Sequence, residues 1–467
     1  MNDILQVIDN AIVAYNDYVG GYALLLLLIP TGIYFIIRLN FLNIRKLGHA
    51  IKVIRGKYDR AEDKGDINHF SALTTALSAT VGTGNIVGVA LAIYWGGPGA
   101  VFWMWITGFL GMIVKYVECT LSNKYRKFNS DGSVAGGPMY YMEIGLKEKL
   151  GKFAKILAVV FAAATMICSL GTGNMAQSNS ISDALMTNYS VPDWVTGLVL
   201  TTLVLLVIVG GIKRIAKVTS RLVPFMAVLY VLSSLTVIFF NYEDVPQAFY
   251  LIFHDAFTGT AAAGGFVGST FIMTLIWGVR RGLFSNEAGQ GSAAIAHAAA
   301  RTKHPAREGM VASVGPLIDT LIICTLTALL IIVTGAWDSG EKGVGMTILG
   351  LSKGLTKIGI EHTGRHIVGV GLLLFAFSTM ISWSYYGSNA TNYLLGEKYI
   401  KPYRYLFGLF VFLGSIWGID LVWHFVDMVI TFMTIPNLIA LLLLAPVVVK
   451  ETRKYFKEME RIDYRSE

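Results

Sequence analysis

The sequence predicts an all-α, polytopic membrane protein of about eleven transmembrane helices, arranged as two inverted repeats of five behind one extra N-terminal helix. Three observations predict it. The composition is too apolar for a soluble chain. The apolar residues gather into about eleven stretches, most of them long enough to cross a bilayer. Two of those stretches, five spans apart, carry polar, glycine-rich interruptions.

Of the 467 residues, 54% are hydrophobic and only 15% are charged, with a mean hydropathy of +0.58. A soluble chain carries roughly 25% charged residues. The 49 glycines and 12% aromatics suit helices packed against one another in lipid. Disordered, collagen-like and disulfide-framework classes are excluded. Cys119, Cys168 and Cys324 all lie inside apolar runs, so no disulfide is expected.

A spanning helix needs about 20 mostly apolar residues. Candidate stretches lie near 18–38, 70–95, 98–122, 153–181, 193–211, 220–241, 263–287, 309–334, 364–394, 403–418 and 420–449. The first follows a polar, nearly neutral N-terminus and has no small-residue cleavage site close behind it, so it reads as a span and not as a signal peptide. Lys and Arg set the orientation. The connections 39–69, 123–152, 212–219, 295–308 and 395–402 and the tail from 450 are rich in them, whereas 96–97, 182–192 and 242–262 contain none. Only 335–363, with Lys342, Lys353 and Lys357, breaks the alternation. The pattern predicts a plasma-membrane protein with its N-terminus outside and its C-terminus in the cytoplasm. It also accounts for the net charge of +8 without a nucleic-acid partner. Residues 1–69 then form the extra helix and a basic cytoplasmic loop, 70–241 the first repeat, 263–449 the second, and 450–467 a cytoplasmic tail.

In lipid every backbone N–H and C=O must be satisfied internally, so irregular backbone at membrane depth survives only inside protein or along a cavity. Span 2 gathers Ser78, Thr80, Gly82, Thr83, Gly84 and Asn85 near its middle. Unwinding at Gly82-Thr83-Gly84 would free N–H groups at the start of the next half-helix, where the dipole favours a carboxylate. It would also free carbonyls at the end of the preceding half-helix, which suit a hard cation such as Na⁺. The plainer reading of such glycines is close helix packing. The second interruption, at Thr274 and Gly278 of span 7, favours a pair of broken helices.

The runs GGPGAVFWMWITGFLG (96–111), GGPMYYME (136–143) and GLFSNEAGQGSAAIAHAAA (282–300) resemble the alanine or glycine:cation symporter family, part of the amino acid–polyamine–organocation superfamily with the leucine-transporter fold. The likeness extends from about residue 40 to 450. It implies sodium-coupled uptake of alanine and glycine by alternating access, with Na⁺ as coupling ion and no other cofactor. It further implies that Gly82, Thr83 and Gly84 hold the substrate carboxylate, with Asn85 just after. Thr274, Ile276, Trp277 and Gly278 would hold the substrate's amino group and wall its side chain. Ser378 and Thr379 of span 9 would complete a sodium site with carbonyls of Ser78 and Val81. Arg280 and Arg281 depart from the wider superfamily, which keeps small or apolar residues there.

Other residues are read on their own chemistry. Asn174 and Gln177 stand three apart on span 4, hence on one helix face, and are expected to reach the substrate pocket. Trp383, four residues past Thr379, would restrict the pocket to small side chains. Ionisable residues in spans are functional by default. Glu118 is expected to form an inner-side gating ion pair with Arg280 or Arg281. Glu287 and Asp319 read as cytoplasmic-end or packing residues, and a proton-coupled relative could use Asp420 or Asp427. The eight histidines are scattered without metal spacing, and no phosphate-binding loop is present, so neither an enzyme nor an ATP-driven pump is expected. The rivals are a proton-coupled transporter of the same architecture and, from another class, a channel.

Overall fold

The computed structural model describes residues 2–60, 62–129, 132–261, 264, 266–417 and 419–466. Helices stand at every apolar stretch: α1 (Asp9–Arg38), α2 (His69–Thr80), α3 (Gly84–Gly96), α4 (Ala100–Tyr125), α5 (Lys152–Tyr189), α6 (Asp193–Ile208) and α7 (Gly211–Phe240). After α8 (Val245–Thr258) come α9 (Phe271–Asn286), α10 (Ser292–Ala298), α11 (Pro305–Val333) and α12 (Val344–Leu355). The last are α13 (Thr363–Leu395), α14 (Ile400–Ile416), α15 (Ile419–Leu443) and α16 (Ala445–Ser466). Among the described residues six helices are long and apolar enough to cross a membrane, or eight if each bent pair counts as one span. The expected eleven would also need α6, α9 and α14, which are 16, 16 and 17 residues long. At 1.5 Å per residue these reach roughly 24–26 Å, short of a ~30 Å hydrocarbon core.

The first break lies where the sequence predicts it. Asn68 caps α2 by accepting from the Ser71 N–H at 2.7 Å. The helix ends on Ser78-Ala79-Thr80, and Val81 leaves helical geometry at φ −77°, ψ 87°. The chain resumes with a π-helical turn, Gly84–Gly88, and the two half-helices meet at 52°.

The second break does not lie where expected. Capped by Thr270, α9 runs as uninterrupted α-helix through Thr274 and Gly278 to Asn286. Gly278 is a packing glycine: a Cβ there would sit 2.5 Å from the Ala100 carbonyl oxygen and 2.6 Å from Trp103 Cβ on α4. The helix stops at Glu287 (φ 54°), Gly289 (φ 87°) and Gly291 (φ 76°), a left-handed run that glycine tolerates and glutamate does not favour.

The centre of the bundle is α4, whose residues from Leu110 to Asn123 are all buried, while α6 and α7 present Leu206, Phe225 and Leu232 outward. Two connections read as plain loops carry helices. α8 packs on α4, its Ala256 carbonyl accepting from Trp103 Nε1 at 2.9 Å. α12 lies on α3, with Thr347 Oγ1 donating to the Ile86 carbonyl at 3.2 Å. At the opposite end, Arg301 N–H donates to the Ile67 carbonyl at 2.7 Å, tying the entry to α2 to the exit from α10.

Candidate functional site

The backbone N–H groups freed at the first break meet neutral side-chain amides. Gly82 N–H donates to Asn85 Oδ1 at 2.9 Å, and Thr83 N–H donates to Gln177 Oε1 at 3.2 Å. Gln177 is fixed from behind, its Nε2 donating to the Thr172 carbonyl at 3.0 Å. Thr83 Oγ1 is buried and has no hydrogen-bond partner among the described residues. Glycine is required at 82 by crowding, since a Cβ would lie 2.5 Å from Thr379 Oγ1 and 3.2 Å from Gln177 Oε1. At 84 a Cβ would lie 3.0 Å from the Phe284 ring. Gly82, Thr83, Gln177 and Thr379 therefore converge on one point, with Gly84 and Asn85 on the following turn.

One turn earlier, oxygens from two helices meet. Thr379 Oγ1 donates to the Ser78 carbonyl at 3.0 Å, and Ser78 Oγ donates to the Ser378 carbonyl at 2.6 Å. Ser382 Oγ donates to Ser78 Oγ at 2.9 Å. Hydroxyls and carbonyls are the hard ligands a small alkali cation needs. Ser78, Ser378 and Thr379 are thus brought together, and Ser382 joins them one helical turn on. Val81 is buried at the bend, adjacent in the chain to Gly82.

Several predicted residues face elsewhere. Asn174 Nδ2 donates to the Phe407 carbonyl on α14 at 2.7 Å. The reason is local: Gly171–Met175 is a π-helical turn, so residues three apart no longer share a face. Thr274 Oγ1 donates to the Gly96 carbonyl at 2.7 Å, at the far end of α3, and Ile276 and Trp277 are half-buried on the same stretch. Trp277 stacks on Trp95, centroids 5.9 Å apart, in the wall of a cavity of about 420 Å³ that Arg280, Arg281, Lys342 and Asp427 also line. Below it the Arg281 guanidinium lies over the Phe284 ring, which abuts Gly84, so this cavity leads toward the first break.

The expected pair of Glu118 with Arg280 or Arg281 is not formed. Arg281 Nη2 donates to Asp427 Oδ2 at 2.6 Å, and Arg280 donates to the Asn16 carbonyl. Glu118 Oε1 accepts instead from Asn437 Nδ2 at 2.7 Å and from the Gly291 N–H at 3.2 Å. The arginines lie six and seven residues before Glu287, where the break begins, and Glu118 reaches its last residue, Gly291, so the misplaced break carried the misplaced pair with it. Asp420 lies among residues whose side chains are outside the described set.

The second break is held by charge. Glu287 Oε1 accepts from Trp383 Nε1 at 2.8 Å and Oε2 from Ser292 Oγ at 2.5 Å. Asn437 Nδ2 also donates to the Gly289 carbonyl at 2.8 Å. Trp383, fully buried, is thereby turned toward this break. Of its two readings, Asp319 takes that of a packing hydrogen bonder: it accepts from Asn85 Nδ2 at 2.5 Å and from Ser285 Oγ at 2.7 Å, anchoring the first break to α11. Lys115, buried on α4, is a residue the sequence reading missed, although a lysine three residues before Glu118 in an apolar span was a signal.

Comparison with known proteins fits this architecture. The model of the "Sodium:alanine symporter family" matches residues 5–466. The "Sodium/alanine symporter AgcS" of Methanococcus maripaludis is 45% identical over 449 residues, 96% of each chain. An "Uncharacterized transporter" of Haemophilus influenzae is 45% identical over 454 residues, 97% of each chain. Among solved structures, that of MhsT in complex with L-phenylalanine superposes with a TM-score of 0.57 over 82% of this chain and 89% of that one, at 13% identity. That likeness carries the leucine-transporter fold, with its two discontinuous helices. Sequence and fold together assign this multi-pass membrane protein to the sodium:alanine symporter family, a family of amino acid transporters.

Proposed function

We propose that the protein is a sodium-coupled symporter that imports small neutral amino acids, alanine and glycine, by alternating access, with its N-terminus outside and its C-terminus in the cytoplasm. The single observation that carries the reading is the convergence on Gly82. Two backbone N–H groups, Gly82 and Thr83, donate there to neutral amide oxygens, and a substrate carboxylate is the stronger acceptor for both. Thr379 touches both chemistries, since its Oγ1 bonds the Ser78 carbonyl and crowds Gly82. Na⁺ held by the Ser78 and Val81 carbonyls with the Ser378 and Thr379 hydroxyls would fix the end of α2. The N–H groups that grip the carboxylate follow directly in the chain. Each ligand then raises the other's affinity by the same factor.

The narrow space at Gly82, walled by Gln177 and Thr379, favours a methyl or a hydrogen over a branched side chain. The charged cavity beside Trp277 gives the substrate a route in, and Arg281 with Asp427 lies across that route. The test is alanine uptake into proteoliposomes under a Na⁺ gradient alone and then under a proton gradient alone. Uptake is expected only in the first case, saturable and with countertransport of labelled alanine. Uptake driven by protons alone, or uptake that fails to saturate, removes the reading.

A further inference from the structure

Three Lys or Arg residues are buried among the described residues: Lys115, Arg281 and Arg307. Arg281 has Asp427 at 2.6 Å and Arg307 has Asp63 at 3.3 Å. Lys115, 3% exposed at the middle of α4, makes no hydrogen bond and no ion pair within 4 Å among the described residues. It borders a cavity of about 10 Å³, also lined by Thr80, Asn286 and His297. This is room for roughly one water. Thr80 ends α2, Asn286 ends α9 and His297 lies in α10, so the ammonium stands where both broken helices meet. Asn286 lines the same cavity, and its Nδ2 is buried without a partner among the described residues.

Lys115 stands one helical turn before Glu118 on α4, and the cavity it borders is closed by Asn286, next in the chain to Glu287. Three buried carboxylates are bonded at the breaks: Asp319 to Asn85, Glu118 to the Gly291 N–H, and Glu287 within the second break itself. A lysine kept at membrane depth without hydrogen bonds is not there to satisfy a neighbour. Its contribution is its charge, a compact point on a flexible stem that can follow helices as they move.

We propose that Lys115 is a tethered counter-cation. Its ammonium supplies the positive charge that the carboxylates around the breaks would otherwise draw from solution as a second transported cation, and so holds the coupling at one ion per amino acid. The inference rests on the sodium-coupled reading above. Removing the charge leaves buried carboxylates uncompensated, and the available replacement is a cation entering by the substrate's own path.

The experiment measures charge moved per alanine, and the steepness of the Na⁺ dependence of alanine binding, in proteoliposomes of the wild type, Lys115→Gln and Lys115→Arg. The expected ratios are about one charge per alanine for the wild type and Lys115→Arg and about two for Lys115→Gln, with a steeper cation dependence. A purely structural lysine would lower stability and leave the ratio alone. A Lys115→Gln protein with the wild-type ratio and an unchanged cation dependence overturns the proposal. So does a wild-type ratio of about two, which is decisive even if the glutamine variant does not fold. Wild-type protein without Na⁺-dependent uptake would instead defeat the symport reading, so the two failures are distinguishable.

Discussion

The two breaks in this bundle are satisfied by opposite means. At Val81–Thr83 the freed N–H groups donate to the side-chain amides of Asn85 and Gln177, and the Thr83 hydroxyl finds no partner among the described residues. At Glu287–Gly291 a carboxylate built into the break accepts from Trp383 and Ser292, while Glu118 and Asn437 hold the following backbone. A neutral amide oxygen yields its N–H partner to a carboxylate, because a charge-assisted bond is roughly twice as strong. A resident carboxylate does not yield to a second one. The difference teaches that irregular backbone by itself is not a ligand site. The first break suits binding, and the second suits a fixed joint about which α10 is held.

The sharpest way to break the comparison is to crowd the first break. Gly82→Ala puts a methyl 2.5 Å from Thr379 Oγ1, and we expect Na⁺-dependent alanine affinity to fall by about 100-fold or more. Gly278→Ala meets the Ala100 carbonyl oxygen at the same 2.5 Å. It should destabilise by about 1–3 kcal/mol as an overpacked contact and leave the Na⁺ dependence intact. Equilibrium binding and thermal unfolding in detergent separate the two. Equal losses of binding would show that the break has no special standing.

Glu287→Gln tests the joint. The variant keeps an acceptor for Trp383 but removes the charge that also holds Ser292, and a loss of about 2 kcal/mol of stability is expected. Alanine affinity should change less than about threefold, because the first break keeps its partners. A large affinity loss at full stability would make the second break part of the binding machinery.

Thr379→Ala removes an oxygen that bonds the Ser78 carbonyl and crowds Gly82. The Na⁺ concentration for half-maximal alanine binding should rise by about tenfold, the equivalent of one hydrogen bond to a charged ligand. An unchanged Na⁺ dependence would detach the oxygen cluster at Ser78 from coupling.

How much of this was legible in the sequence follows from the same contrast. The first break could be read because Gly82-Thr83-Gly84-Asn85 interrupts an apolar run with residues that have no other business in lipid. The second break was misread because Gly278 and Gly289 look alike in one dimension. Only tertiary packing makes the first a contact with Ala100 and the second a left-handed turn. Gln177 reaches the first break while Asn174 turns to α14 for a related reason: helical spacing assumes 3.6 residues per turn, and the π-helical Gly171–Met175 departs from it. The sodium-type oxygen cluster was legible only through family resemblance, since Ser and Thr are common in membrane helices and their spacing alone selects nothing. Asp319 reaches the first break across the bundle from α11, and no local pattern announces which break a buried carboxylate will serve.

The smallest expected effect tests the comparison most finely. Thr83 carries a buried hydroxyl that bonds to nothing among the described residues, and an unmet donor in that position costs about 1–3 kcal/mol. Thr83→Val keeps the branched shape and removes the hydroxyl. If that hydroxyl is kept for a substrate oxygen, the variant should unfold at a higher temperature, by roughly 1 kcal/mol of added stability, while binding alanine about fivefold more weakly. Stability and affinity would then move in opposite directions, which no purely structural role for Thr83 allows. Should both fall together, the hydroxyl is already bonded within the protein. The first break would then be as self-satisfied as the second.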